Sequence, residues 1–142
     1  MKQNLAIVTI VVKDYDEALN FFIQKLGFEL IEDTFLSDDK RWILISPPRS
    51  KSCQMLLAKA SNNNQLASVG NQTGGRVAFF LHTDDFQRDF ERFIKNGVRF
   101  VRPPEAQPYG IVAVFEDLYG NLWDLIQPNG MLEQQKIVAL PG

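Results

Sequence analysis

The sequence predicts an α+β fold: two tandem βαβββ modules forming curved mixed sheets around a central cavity. Three observations carry this. Positions 12–31 and 82–101 are a degenerate copy of one another, with Asp14 matching Asp84 and Gly27 matching Gly97 at a common offset of 70 (84 − 14 and 97 − 27). Between each Asp and its Gly lies one amphipathic helical pattern. Each unit sets four strand-like runs against that single helix, too few helices for a doubly wound α/β domain or for a ferredoxin-like pair. Neither copy holds enough core to stand alone, so two like units are expected to close on each other.

The first element, Leu5 to Val12, is rich in Val and Ile and reads as a buried strand. Asp14 then caps a helix, with Glu17 at the capping-box spacing and Asp16 adding charge to the first turn. Ala18, Leu19, Phe22, Ile23 and Leu26 form its apolar face, and Gly27 ends it. Strands are expected near 28–33, 41–46 and 53–58, the second of them stopped by Pro47-Pro48. Residues 59–75, polar and Gly-containing, read as a long connector. In the second half Arg76 to His82 is a strand. Asp84 or Asp85 caps a helix with the stripe Phe86, Phe90, Phe93 and Ile94, and strands follow near 98–102, 110–116 and 122–127. Pro103-Pro104 and Pro108 bracket a stiff connection to Tyr109 and Gly110, either a rim over the cavity or a spacer. The layout is therefore one domain over 1–142: module one about 4–60, the connector, module two about 75–128, and a tail about 129–142.

Composition narrows the function. A chain of 142 residues buries roughly two thirds of its unfolded surface. With a net charge of −2 it has no basic face for nucleic acid. No apolar run approaches membrane-spanning length, and Leu5 to Val12 lacks a cleavage pattern, so a cytoplasmic protein with no membrane partner is expected. Cys53 is the only cysteine, which excludes an intrachain disulfide and a cysteine-based zinc site. Ile137, Val138, Ala139 and Leu140 in the tail point to docking on a neighbour, hence a homodimer.

From about residue 5 to residue 128 the chain resembles the vicinal oxygen chelate superfamily, the glyoxalase, bleomycin-resistance and ring-cleaving dioxygenase group. The carriers are Val12-Lys13-Asp14, Ala18-Leu19-Asn20-Phe21-Phe22 and Leu26-Gly27-Phe28, then Asp84-Asp85, Gly97-Val98 and Phe115-Glu116-Asp117-Leu118-Tyr119-Gly120-Asn121. The last run is similar to that group's Phe-x-Asp-Pro-Asp-Gly-Asn turn. The resemblance implies the fold but not one chemistry, since the group holds lyases, isomerases, dioxygenases and drug binders. Its metal-dependent members use His or Gln early in the first strand of each half and Glu on the last strand. Here those places carry Ile7, then Val77 or Ala78 beside Arg76, then Gln54-Met55-Leu56-Leu57, and finally Asp124. One carboxylate is no metal site. The expectation is therefore no cofactor, no metal, and binding of a small organic ligand in the cavity. The alternative is a metal-dependent lyase, isomerase or dioxygenase with an unusual ligand set that includes Asp124 and His82.

Asp124 is the candidate for both catalysis and ligand binding. Strand alternation places it on one face with Leu122 and Ile126. It is either a lone carboxylate in an apolar cup, with its proton affinity raised for acid or base work, or the partner of Arg76 or Arg41 in an ion pair. Trp42, Tyr109 and Phe115 are the aromatic lining candidates, with core as the other reading of Trp42 and Phe115. Arg41 and Arg76 are the cationic ones.

Overall fold

The duplication is realised as two four-stranded mixed sheets of identical connectivity. The computed structural model describes residues 1–130, so the expected docking of the tail lies outside the described residues. The chain separates into two units, the first Met1–Gln72 and the second beginning at Thr73. The first contains β1 (Ile7–Val12), α1 (Tyr15–Leu19), β2 (Glu29–Ser37), β3 (Lys40–Ser46), β4 (Gln54–Lys59) and α2 (Asn63–Ser68). The second contains β5 (Val77–His82), α3 (Phe86–Lys95), β6 (Arg99–Gln107), β7 (Gly110–Glu116) and β8 (Leu122–Pro128). The sheet orders are β1-β4-β3-β2 and β5-β8-β7-β6. In each, the first strand pairs in parallel with the last and the other pairs are antiparallel. The α+β reading of two βαβββ modules holds.

The ends of the helices are set locally. Asp14 caps α1, its Oδ2 accepting from the Glu17 N–H at 2.9 Å. After Leu19 the helix widens into π-type turns over Asn20–Lys25, and the Leu26 N–H reaches back five residues to the Phe21 carbonyl at 3.1 Å. In the wider turn adjacent Phe21 and Phe22 are both buried, while Leu19 and Ile23 stay only half-buried. Gly27, at φ 81°, then turns the chain into β2. In the second unit it is Asp85 that caps α3, its Oδ1 accepting from the Arg88 N–H. Ile94, expected in the buried stripe, is exposed. Asp89 is buried instead, because the Thr83 hydroxyl and the Arg88 guanidinium satisfy its carboxylate. Burial alone would raise Asp89, but those hydrogen bonds and the charges of Arg88 and Arg92 outweigh it and hold the group below the ordinary carboxylate range.

Two segments depart from the expected layout. The polar connector contains α2, because Asn62 Oδ1 accepts from the Gln65 N–H while Gln65 Oε1 accepts from the Ser61 N–H at 2.7 Å, a reciprocal cap. The Pro103–Gln107 stretch is not a connection but the second half of the edge strand β6. Arg102 pairs with Val114 and Glu105 with Val112, so Pro103 and Pro104 occupy a bulge, where a missing N–H costs no ladder bond. Only Pro108 and Tyr109 remain as the turn into Gly110.

The second unit's core is a row of aromatics across its sheet. Phe79, Trp123, Phe115 and Phe100 lie in register, with centroid separations of 4.5, 5.7 and 5.6 Å, and Phe93 of α3 packs edge-on to Phe115. In the first unit Ile10, Val12, Ile43, Ile45, Met55 and Leu57 are buried with Phe22 and Leu26. The free edge of β1 is covered by a side chain: Gln72 accepts from the Val11 N–H at 2.9 Å and donates to the Thr9 carbonyl at 2.7 Å. Among the described residues no helix is long and apolar enough to cross a membrane.

Candidate functional site

The first unit contains a cleft of about 520 Å³ where β3 and β4 part company. Their ladder consists of Ile43↔Leu57, Leu44↔Leu56 and Ile45↔Met55 only, although β3 begins at Lys40 and β4 runs to Lys59. Tyr15 of α1 stands at the parting, its hydroxyl accepting the Arg41 N–H at 3.2 Å. Consecutive residues of both strands line the cleft, Arg41 and Trp42 on one side and Leu56 to Lys59 on the other, with Gln65 of α2. Consecutive strand residues point to opposite faces, so the opening runs between the strands rather than over one face. A volume of this size suits a drug-sized molecule.

In the second unit the face of the sheet opposite α3 carries Asp124. The row through it reads Phe80, Asp124, Val114 and Arg102 across β5, β8, β7 and β6, and the next reads His82, Ile126, Val112 and Glu105. Asp124 thus shares its face with Leu122 and Ile126, as alternation requires. Burial pushes its carboxyl up, and the positive charge of Arg102, two strands away, pulls only partly against that.

The other candidates fall in different places. Trp42 lines the cleft, half-buried. Arg41 also lines it, but its guanidinium is committed: Nε and Nη2 hold Asp33 at 3.1 and 2.7 Å, Nη1 holds Asp16 at 2.9 Å, and its carbon lies over the Phe35 and Tyr15 rings. Asp33 and then Asp16 drive its proton affinity up. The expected Arg41–Asp124 ion pair gives way to this structural network. Arg76 is exposed just before β5 and makes no ion pair among the described residues. Tyr109 is in the β6–β7 turn, where its carbonyl accepts from the Asn129 N–H. Phe115 is 0% exposed inside the aromatic row, and this corrects its place among the lining residues: the strand register lines it up with Trp123, on the helix side.

The donor set does not fit a metal of the type the superfamily uses. The positions to which the resemblance assigns metal ligands carry Ile7, the run Gln54-Met55-Leu56-Leu57, Val77 or Ala78, and Asp124, a single carboxylate. Among the described residues no three His, Cys, Asp or Glu side chains converge as such a centre requires. Cys53 is a free thiol before β4.

Asp117 carries weight that sequence reasoning missed. It is 4% exposed and accepts from the N–H groups of Tyr119, Gly120 and Asn121, from Asn121 Nδ2 and from Trp123 Nε1, so it ties the last turn to the aromatic row. Its place in the Phe115–Asn121 motif was the available signal. Tyr15 and Gln65 were missed as well, since nothing in their spacing marks a strand parting.

Comparison with known proteins agrees with this architecture. The family profile of the Glyoxalase/Bleomycin resistance protein/Dioxygenase superfamily matches residues 4–125. A protein of Shewanella frigidimarina is 57% identical over 130 residues, covering 91% of this chain and 96% of its own length. The crystal structure of UcmS2 superposes with a TM-score of 0.77 at 31% identity, covering 89% of this chain and 98% of that one. That of TnmS3, an antibiotic binding protein from Streptomyces sp. CB03234, superposes with a TM-score of 0.71 at 25% identity, covering 91% and 98%. This chain belongs to the glyoxalase/bleomycin resistance protein/dioxygenase superfamily.

Proposed function

We propose that this protein binds a small organic ligand without a metal, as a cytoplasmic homodimer that sequesters rather than transforms its ligand. The observation that carries the reading is the first unit's cleft of about 520 Å³, walled by Trp42 and Leu56 and lined by no His, Cys or Glu. TnmS3 lends support, as an antibiotic binding protein of the same fold and 25% identity. On the second unit Asp124, with its carboxyl pushed up beside Phe80 and Val114, is a separate candidate hydrogen-bonding group outside that cleft. Exposed Leu30, Ile31 and Leu36 on the edge strand β2 favour cover by a second copy.

The test uses full-length protein purified without an affinity tag. Elemental analysis is expected to find no stoichiometric divalent metal. Equilibrium dialysis against a panel of aromatic antibiotics is expected to give saturable binding of at least one, unchanged by EDTA and lost in Trp42→Leu. A stoichiometric metal released by Asp124→Ala, or a panel in which nothing binds saturably, overturns the proposal.

A further inference from the structure

We infer that the cleft between β3 and β4 takes a planar aromatic anion, stacked on Trp42 and held by hydrogen-bond donors from Tyr15, Gln65 and Lys59. This rests on the ligand-binding reading above and names the chemical class of the ligand.

The duplication supplies an internal reference. In the second unit the corresponding strands β7 and β8 pair without a break from Gly110↔Pro128 to Glu116↔Leu122. In the first, extending Ile43↔Leu57 by two places would set Arg41 opposite Lys59, and that pairing is absent. The residue after each helix cap accounts for the difference. After Asp14 comes Tyr15, whose hydroxyl takes the Arg41 N–H; after Asp85 comes Phe86, which has no hydroxyl to offer. The parting is therefore built by a side chain that is only 7% exposed, and the same plan closes where that side chain lacks oxygen.

The polar groups left over in the cleft are almost all donors. Tyr15 spends a lone pair on Arg41 and keeps its O–H. The Gln65 amide is oriented by the Ser61 N–H, which takes Oε1 and leaves the Nε2 hydrogens without a partner among the described residues. The Trp42 indole N–H and the Lys40 and Lys59 ammonium groups are likewise uncommitted there. Arg41 holds both Asp33 and Asp16, and Lys40 and Lys59 stand against Asp39, so these charges balance and the ammonium groups act through direct contact rather than through a net field. A rim of donors that includes two ammonium groups unpaired among the described residues selects an acceptor-rich ligand with a carboxylate for one of them to hold. An indole beside a slot between strands selects a flat one.

The test measures equilibrium dialysis of the full-length protein with three probes of one shape: 2-naphthoate, 2-naphthamide and 2-naphthylmethylammonium. The naphthoate is expected to bind about tenfold tighter than the ammonium, the discrimination one charge-assisted hydrogen bond supplies. Lys59→Gln and Gln65→Ala, at exposed positions that do not threaten the fold, should each weaken the naphthoate several-fold, and Lys59→Gln should leave the naphthamide unchanged. Tyr15→Phe should weaken all three, with circular dichroism reporting its folding. If the ammonium or the amide binds in a Trp42-dependent manner and the naphthoate does not, the assignment of class is wrong while the binding reading stands. An unmoved naphthoate in Lys59→Gln overturns it equally. If no probe binds, the assignment falls, and the antibiotic panel decides the binding reading separately.

Discussion

Replacing Asp117 by Ala should be among the most damaging substitutions available outside the aromatic core. Its two oxygens receive five N–H groups at 3.0–3.1 Å, three on Oδ1 and two on Oδ2. Tyr119 and Gly120 are half-buried and their N–H groups can turn to water. The Asn121 N–H, Asn121 Nδ2 and Trp123 Nε1 cannot do so easily, since those residues are 3% and 2% exposed. Each buried donor that loses its acceptor costs about 1–3 kcal/mol. Three of them, with some relief from water entering the vacated space, give about 4 kcal/mol. At about 3 °C per kcal/mol for a chain of this size, Tm should drop by roughly 12 °C. Asp117→Asn sharpens the test. The amide keeps an oxygen for the three backbone donors but turns an NH2 toward both Asn121 Nδ2 and Trp123 Nε1, two of the three buried donors, so about two thirds of the loss should remain. Urea denaturation followed by tryptophan emission and circular dichroism, with unchanged m-values, measures both. A loss below about 1 kcal/mol for Asp117→Ala, or an Asn variant as unstable as the Ala variant, would refute the account.

Two further outcomes are expected. Gly110 sits at φ 150° against β8, where an added Cβ would fall on the Gln127 carbonyl oxygen and within 2.9 Å of the Pro128 Cα; Gly110→Ala should therefore cost about 2–4 kcal/mol in urea denaturation, whereas Gly74→Ala, with open space around it, should cost about 1 kcal/mol from its positive φ alone. The two perturbed carboxylates give pH dependences of opposite sign. Asp124 is raised, so its contribution is present in acid and lost as pH rises through its folded value; Asp124→Asn should gain on the native protein at neutral pH, with the gap closing in acid. Asp89 is lowered, so its contribution is present at neutral pH and lost as pH falls, and Asp89→Asn should be the less stable at pH 7 with the gap again closing in acid. Denaturation midpoints across pH decide both.

What could be read from sequence was local. Asp14, Gly27 and Gly97 mark helix ends through their own backbone and side-chain chemistry, and the offset of 70 exposed the duplication before any contact was known. Strand alternation put Asp124, Leu122 and Ile126 on one face, and the register confirms it. The same alternation, carried to β7, assigns Phe115 to the Trp123 side, an inference that needed the pairing register. Pro103 and Pro104 hid the second half of β6, since whether a proline ends a strand or sits in its bulge depends on the neighbour. Arg41 was readable as a charge but not as a committed one: Tyr15 and Asp16 reach it from α1 and Asp33 from β2. The cleft was the least legible feature, because it arises from hydrogen bonds that two strands fail to make.

The amide of Gln72 on β1 has a consequence for how the chain behaves in crowded solution. Outward-facing N–H and C=O groups on a terminal strand invite any passing extended segment to zip on, and β1 is among the most β-branched stretches of the molecule. By taking the Val11 donor and the Thr9 acceptor at once, one glutamine imitates the rung that an intruder would form and so plugs the template. A chain truncated or nicked ahead of residue 72 would lose that plug, and fibre formation rather than simple unfolding is how the damage would show.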